Sequence, residues 1–466
     1  MTYQPPPHGF RAFLIAWATQ SISVFGTALT FFAMTIWLTQ TLYPRPEQKP
    51  ELAFALAAVS LAFALPTVFG APLAGAWADR HDRKRTMMTI DFLNGGLSLL
   101  LAILMLTDTL QLWMVLVLVA THALLSAFHF SAFDTSYAMI VPEKQLPRAN
   151  GMMQTTWSLS GILSPGIAAM IISLPTLARQ GVIACDLGAA LARLSSGASL
   201  AITLDAITFF FAASALFFLS IPSPKRADLR AADGSRKSIW ADVKEGALYI
   251  WHRQPLLWLL GTFTVANFVG GPLDVMMPLV VKFNLAPDWS AHGFAFETAF
   301  ALIGTVGSIG GVAGGLLISA WGGLKKRRVY GVVVALIFEG LVMIVLGWSP
   351  WLYLTAMMAL VGHGMIPIMN AHSQAIWQTQ TPRELQGRVF AVRRLIAQCS
   401  WPLSTALAGL IGGLFNPGTV IAVLGGILTL FCIAQLFNPY LLRVEDKAYL
   451  DRMAARQAVI QVSSAK

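Results

Sequence analysis

Asp274 is the residue best placed to do chemistry, because it follows the helix-breaking Gly-Gly-Pro at 270–272 inside a long apolar run. A carboxyl group that is shielded from water can exchange a proton near neutral pH, as a proton-coupling site requires. It could equally hold a cationic substrate group, or form a structural hydrogen bond at the loosened helix. His122 and His129 share one helix face and are further proton-coupling candidates. Packing is the alternative role for both histidines.

Polar residues recur at helical spacing in six apolar segments, as they would on helices that line a cavity. Unpaired polar groups in apolar surroundings are costly, and a shared polar interior would satisfy them. The alternative is hydrogen bonding between helices with no substrate contact. The predicted substrate-cavity residues are Gln20, Thr27, Phe31, Ser126, Gln154, Ser158, Asn267, His363, Asn370, Gln374, Arg394, Gln398 and Trp401.

The composition places these residues in a membrane. Hydrophobic residues make up 56% of the 466 positions and charged residues 12%, whereas soluble domains carry roughly a quarter charged residues. The net charge of +10 does not indicate nucleic-acid binding, because Lys and Arg cluster in short segments between apolar runs. No catalytic or phosphate-binding motif occurs, and the three cysteines lack metal-ligand spacing. We therefore expect that the protein is not an enzyme and that it binds neither a metal nor a cofactor.

Twelve apolar runs reach the roughly 20 residues that a bilayer-spanning helix needs. Their predicted bounds are 13–39, 52–77, 87–107, 112–138, 151–174, 200–221, 256–282, 294–321, 329–348, 351–377, 389–413 and 419–442. Loops 2–3, 6–7 and 8–9 are rich in Lys and Arg, so the positive-inside rule places both termini in the cytoplasm. The first run is too long for a signal-peptide core and predicts an uncleaved helix.

Five further charged residues inside these runs are expected to have structural roles. We expect Asp91, Asp205, Glu297 and Glu339 to form structural pairs, with Asp205 and Glu297 near the outer ends of their helices. We expect Arg393 to extend its charge toward the membrane surface.

The chain divides into two halves of six helices. The predicted parts are an N-terminal bundle at 1–221, a cytoplasmic linker at 222–255, a C-terminal bundle at 256–442 and a cytoplasmic tail at 443–466. Weak repeats relate the halves, with Trp77 matching Trp321 and Arg148 matching Arg388. Within the linker, apolar residues at helical spacing predict a short amphipathic helix on the membrane surface. They are Ile239, Val243, Ala247, Ile250 and Trp251. The fold class is an all-α membrane protein of two pseudo-symmetric bundles.

The segment GAWADRHDRK resembles the loop 2–3 signature of the major facilitator superfamily, G-x-x-x-D-R-x-x-R-[RK]. Gly75, Asp79, Arg80, Arg83 and Lys84 occupy its positions. The flanking segments LPTVFGAPLAGAWADRHDRKR and VPEKQLPRANGM resemble the macrolide-efflux branch of drug–proton antiporters, and the likeness covers most of the chain. The resemblance implies the major facilitator fold and a charged cytoplasmic gate that locks the outward-open state.

Asp79 would face a helix N-terminus in such a gate, since unpaired backbone N–H groups carry partial positive charge. Arg80 and Arg83 would bridge to an acid on a neighbouring helix, for which Asp134 is the candidate. The alternative is that the basic residues only set the membrane topology.

These observations predict a secondary transporter that exports amphipathic organic molecules by proton antiport and alternating access. Movement of lipid, lysolipid or a siderophore-like metabolite is the second transport hypothesis. A membrane-embedded enzyme or a non-transporting sensor is a remote third. The expected partners are a small-molecule substrate, protons and membrane lipid, with no nucleic acid. We expect a monomer in a bacterial inner membrane.

Overall fold

The computed structural model describes residues 9–78, 81–142, 145–183, 186–194, 196–219, 239–382 and 385–453. Nearly all of this part of the chain is helical. Within it, twelve helical segments are long and apolar enough to cross a membrane, which confirms the predicted number.

The first six spans are formed by helices α1 to α7. Their bounds are α1 (Gly9–Trp37), α2 (Lys49–Ala78), α3 (Arg83–Leu106), α4 (Leu112–Ile140), α5 (Leu146–Arg179), the short α6 (Asp186–Ala192) and α7 (Ala198–Phe217). A π-helical turn at Leu38–Leu42 extends α1. Helix α5 has 34 residues and exceeds its predicted span at both ends, because its polar first turns continue the helix outside the apolar stretch.

The last six spans are formed by helices α9 to α16, after the linker helix α8 (Ile239–Trp251). Their bounds are α9 (Gln254–Gly270), α10 (Leu273–Leu279), α11 (Ala286–Ala291), α12 (Phe296–Trp321), α13 (Arg328–Trp348), α14 (Leu352–Gln380), α15 (Gln386–Leu414) and α16 (Pro417–Gln435); α17 (Pro439–Leu442) follows. The seventh span is broken, since α9 ends at Gly270 and α10 resumes at Leu273. The break expected from Gly-Gly-Pro is therefore present.

The chain forms two compact units. The N-terminal unit comprises 1–234 together with 293–305, and the C-terminal unit comprises 235–292 together with 306–466. The first turns of α12 therefore group with the N-terminal helices, although the rest of α12 belongs to the C-terminal unit. The apolar pattern of the chain does not indicate this division.

The linker helix α8 packs against protein. Tyr249 and Ile250 on α8 are 8% and 2% exposed. At Gly246 a side-chain Cβ would lie 2.7 Å from the backbone oxygen of Arg388 on α15. The helix was predicted, with its apolar face on the membrane surface. On that face Ile250 is buried and Trp251 is 63% exposed. Residues 222–238 of the predicted linker lie outside the described part of the chain.

Candidate functional site

Asp274 lies in the first turn of α10, where the broken seventh span resumes. Its side chain is exposed at the surface of its unit, and the side chain of Trp401 on α15 hydrogen-bonds to it. Two predicted residues are thus neighbours, one an acid and the other a large aromatic ring. The ionised carboxyl of Asp274 can bind a proton or a cation, and the Trp401 ring supplies a flat apolar surface beside it.

The helix break that carries Asp274 is held against α15 by polar contacts. The Thr405 hydroxyl donates to the backbone oxygen of Gly271 at 3.4 Å. Asn267 Nδ2 donates to the backbone oxygen of Ala397 at 2.9 Å, so this predicted cavity residue joins two helices of one unit. Gly271 also lies directly against Ser404, leaving no room for a Cβ. The break is therefore packed tightly, and the acid beside it has a defined position.

Arg393, which was expected to reach the membrane surface, is instead hydrogen-bonded inside the C-terminal unit. Its Nη1 donates to Gln374 Oε1 at 2.8 Å and its Nη2 to Ser373 Oγ at 3.3 Å, while the guanidinium lies 5.3 Å from the ring centroid of Trp377. The expectation for Arg393 is wrong, because the guanidinium meets polar and aromatic groups on α14. The sequence of α15 alone does not show which groups of a neighbouring helix it contacts. The neighbouring Arg394 is exposed.

Other predicted cavity residues of the C-terminal unit have separate environments. His363 packs on Gly307 of α12 and hydrogen-bonds to its backbone. Asn370 is exposed. The side chain of Gln398 lies outside the described residues, as does that of Gln154 in the other unit. Ser158 on α5 is half-buried.

In the N-terminal unit, His129 forms a close pair with Asp91. His129 Nε2 lies 3.2 Å from Asp91 Oδ1, and the side chains are 11% and 1% exposed. Gln20 Nε2 donates to Asp91 Oδ2 at 3.0 Å. One helical turn along, Asn94 Nδ2 donates to Ser126 Oγ at 3.4 Å. The predicted residues Gln20, Ser126 and His129 therefore contact α3 within their own bundle.

Asp205 is the second buried acid of this unit. It is 1% exposed, and its Oδ2 accepts hydrogen bonds from Thr30 and Ser98, both at 2.8 Å. The predicted residues Thr27, Phe31 and His122 line the same small cavity as Asp205. Asp205 lies well inside α7 (Ala198–Phe217), so the expected position near a helix end is wrong. The expected pairing with polar neighbours is present for both Asp205 and Asp91.

The loop 2–3 signature joins the start of α3 to helices α2, α4 and α7. The buried Arg83 donates from Nε to the backbone oxygen of Ala78 at 3.2 Å and from Nη1 to that of Thr135 on α4 at 3.3 Å. Asp134, its predicted acidic partner, precedes Thr135 and is exposed. Lys84 Nζ donates to the backbone oxygen of Phe217 at 2.8 Å. That contact places a cation at the C-terminus of α7, where the helix dipole favours positive charge.

The rest of the signature contributes less to the described contacts. Asp79 and Arg80 lie outside the described residues. A Cβ on Gly75 would meet nothing within 4 Å. Packing in this structure therefore does not explain why glycine stands at that position.

His372 is a buried polar residue that the sequence reading missed. Its Nε2 accepts from the backbone N–H of Leu324 at 2.9 Å, and its Nδ1 lies 2.7 Å from the backbone oxygen of Ile368. The imidazole thus ties the loop after α12 to α14. His372 lies only two residues from Asn370, so the two residues do not share a helix face, and the pattern of polar residues did not indicate His372.

Twelve apolar spans, the seventh of them broken beside an exposed acid, define an integral membrane protein that crosses the bilayer many times. Among the described residues no group of three or more metal-ligating side chains occurs. The family model of the Major Facilitator Superfamily matches residues 16–401. The chain therefore belongs to that superfamily of transporters, and the family predicted from the loop 2–3 signature is confirmed.

Curated relatives of known name include macrolide efflux protein A of Streptococcus pyogenes, which is 27% identical over 85% of this chain and 88% of that protein. The multidrug efflux pump Tap of Mycolicibacterium fortuitum is 26% identical over 75% and 79%. Among solved structures, a bacterial homologue of the lysosomal transporter Spinster has a TM-score of 0.59 at 15% identity, covering 97% of this chain and 96% of that one. A bacterial homologue of ferroportin also has a TM-score of 0.59, at 12% identity over 91% and 98%. These structures support the predicted fold.

Proposed function

We propose that this protein exports amphipathic organic molecules of the macrolide type and exchanges them for protons by alternating access. The names of its relatives support the efflux of such compounds. The observation that carries the proposal is Asp274, exposed at the helix break with Trp401 hydrogen-bonded to its carboxyl. An acid beside an aromatic face suits a molecule that joins a basic group to an apolar body.

Exchange follows from competition for one carboxyl group. An ionised Asp274 attracts a cationic substrate, whereas protonation removes the charge and the attraction. A proton and a cation therefore occupy the carboxyl in turn, and a proton entering from outside would release the substrate there. A gradient of protons would in this way drive export.

The proposed orientation has both termini in the cytoplasm of a bacterial inner membrane, with the protein acting as a monomer. The clusters of basic residues support this orientation, since Arg80, Arg83, Lys84 and Arg85 lie close together where the second span is followed by the third. A cysteine introduced at Lys466 should react with a membrane-impermeant thiol reagent only after the inner membrane is opened.

The transport test is macrolide accumulation in cells that lack their own efflux pumps. Wild-type protein should lower accumulated radiolabelled erythromycin, and a protonophore should abolish the effect. Asp274→Asn, which removes the charge at nearly constant shape, should raise accumulation to the level of cells without the transporter. Asp108→Asn is the matched control, because Asp108 has a left-handed backbone (φ 53°) that asparagine also tolerates.

Retained export by Asp274→Asn, with full protonophore sensitivity, would refute the role of Asp274. Unchanged erythromycin levels with the wild type, together with movement of a fluorescent lysolipid, would instead favour the lipid hypothesis.

A further inference from the structure

The N-terminal unit contains a row of polar contacts between α3 and its neighbours, which we call the polar ladder. It consists of Asp91, Asn94 and Ser98 on α3, with Ser126 and His129 on α4 and Asp205 on α7. On α3 the three residues follow the i, i+3, i+7 spacing of one helix face, and on α4 the two residues are three positions apart on one face. The ladder joins Asp91 to His129, Asn94 to Ser126, and Ser98 to Asp205.

The ladder has an acid at each end. From Asp91 to Ser98 the rise along α3 is roughly 10 Å at about 1.5 Å per residue. That is about a third of the roughly 30 Å hydrocarbon core. Helix α1 contacts both acids, through Gln20 at Asp91 and Thr30 at Asp205. The three contacts thus lie along one face of α3, with a buried acid at each end.

The two oxygens of Asp205 differ in their surroundings. Asp205 Oδ2 accepts hydrogen bonds from the hydroxyls of Thr30 and Ser98, and Thr27 also hydrogen-bonds to this carboxyl. Oδ1 is buried and has no well-directed hydrogen bond in the part of the chain that the structure describes. A Cβ at Gly26 would lie only 2.7 Å from this oxygen, so the glycine leaves the room that Oδ1 occupies.

The cavity beside Asp205 is too small for an organic substrate. Its volume is about 30 Å³, whereas pockets for drug-sized ligands measure roughly 300–1,000 Å³. A water molecule needs about 10–15 Å³ measured in this way, so one or two waters fit. Asp205 and His122 are the only titratable side chains among the residues that line it.

The arrangement favours a proton over a metal cation. Thr30 and Ser98 donate their hydrogens to Oδ2, so their oxygens are not directed together at a common ion. Sodium and other hard cations prefer several oxygen ligands, and an imidazole is a poor substitute. A proton on Oδ1 needs only one acceptor, which a water in the cavity can supply.

We propose that the polar ladder is a proton-binding site of the N-terminal unit, with Asp205 and the Asp91–His129 pair as its two proton-holding positions. It deepens the proposed function and rests on it, since it supplies a second acid, apart from Asp274, for exchange against substrate. Loading Asp205 forms one O–H bond at Oδ1 and breaks one O–H bond of a hydronium ion, which leaves water. At the other end the proton binds His129 Nε2 or Asp91 Oδ1, with Gln20 as the uncharged neighbour from α1.

Infrared difference spectroscopy on purified protein tests this inference without substrate or gradient. Difference spectra between two pH values should contain a carboxylic-acid carbonyl band that disappears in Asp205→Asn and persists in Asp274→Asn. Ser98→Ala keeps the acid but removes one donor to Oδ2, and should shift the same band to higher frequency. This second variant keeps the test decisive where Asp205→Asn fails to fold.

A wild-type band that neither Asp205→Asn nor Ser98→Ala alters would overturn the proposal. A band that responds to added sodium chloride but not to potassium chloride would identify a sodium site and overturn it as well. Failure of erythromycin export with an intact Asp205 band would refute the proposed function alone, so the two failures are distinguishable.

Discussion

Gly246 is the position at which one substitution should detach the linker helix α8. A Cβ there would lie 2.7 Å from the backbone oxygen and 2.8 Å from the backbone carbon of Arg388. Both atoms belong to helix backbone, so neither can rotate away. Val at this position adds two further methyl groups at the same contact. Overpacking of this kind costs about 1–3 kcal/mol, and we expect the upper part of that range.

The contacts that Gly246→Val would weaken are those that dock α8. The Tyr249 hydroxyl donates to the backbone oxygen of Gln380 at 2.7 Å. Arg388 Nη1 pairs with Glu245 Oε2 at 2.5 Å. Such a buried hydrogen bond contributes about 1 kcal/mol, and the half-exposed ion pair contributes less. Valine gains a few tenths of a kcal/mol of helix propensity over glycine. The net loss should therefore be about 2–3 kcal/mol.

Hydrogen–deuterium exchange of the α8 backbone amides measures this loss. At about 1.4 kcal/mol per tenfold change, the amides should exchange roughly 30–150 times faster in Gly246→Val. Gly261→Val is the matched control, because a Cβ at Gly261 on α9 would meet nothing within 4 Å. Exchange of α8 within twofold of wild type in Gly246→Val would refute the view that this glycine permits docking.

Two further predictions concern groups outside the membrane core. Burial raises the pKa of Tyr249, with Asp451 adding to the rise and Arg253 opposing it. The contribution of the neutral Tyr249 hydroxyl to folding stability is therefore complete below the unfolded pKa of about 10. It is lost as pH rises through the higher folded value. Denaturation temperature should fall above about pH 10 more steeply in wild type than in Tyr249→Phe, and equal slopes would contradict this. Lys84→Met should speed amide exchange in the last turn of α7 about 2–5-fold, because a helix-end cation contributes about 0.3–1 kcal/mol. Lys325→Met, a change at an exposed lysine, serves as the control. Equal exchange of these α7 amides in both variants would refute the view that Lys84 stabilises the C-terminus of α7.

Features that depend on local sequence were predictable. Apolar length sets the number of spans, and Gly-Gly-Pro sets the break before Asp274, because proline removes a backbone donor wherever the helix is placed. Asp274 and Trp401 were both identified as site candidates, and they are neighbours. Their proximity was not predicted, since it depends on how α10 meets α15.

Features that depend on which helix faces meet were not predictable. The stripe His122, Ser126 and His129 marks one face of α4, but spacing alone does not say whether that face meets a cavity or α3. Arg393 has the sequence context of a residue that reaches the membrane surface, yet α14 places Gln374 within 2.8 Å of it. Likewise, the apolar face of α8 was expected on the membrane surface, yet Ile250 on that face is buried.

Proton flux in proteoliposomes tests proton-coupled export most directly. Purified protein would be reconstituted with a pH-sensitive dye inside the vesicles, and erythromycin would be added under an imposed substrate gradient. We predict that the wild type moves protons opposite to the drug, that Asp108→Asn does the same, and that Asp274→Asn moves none. Drug movement by the wild type with no accompanying change in internal pH would contradict proton-coupled export.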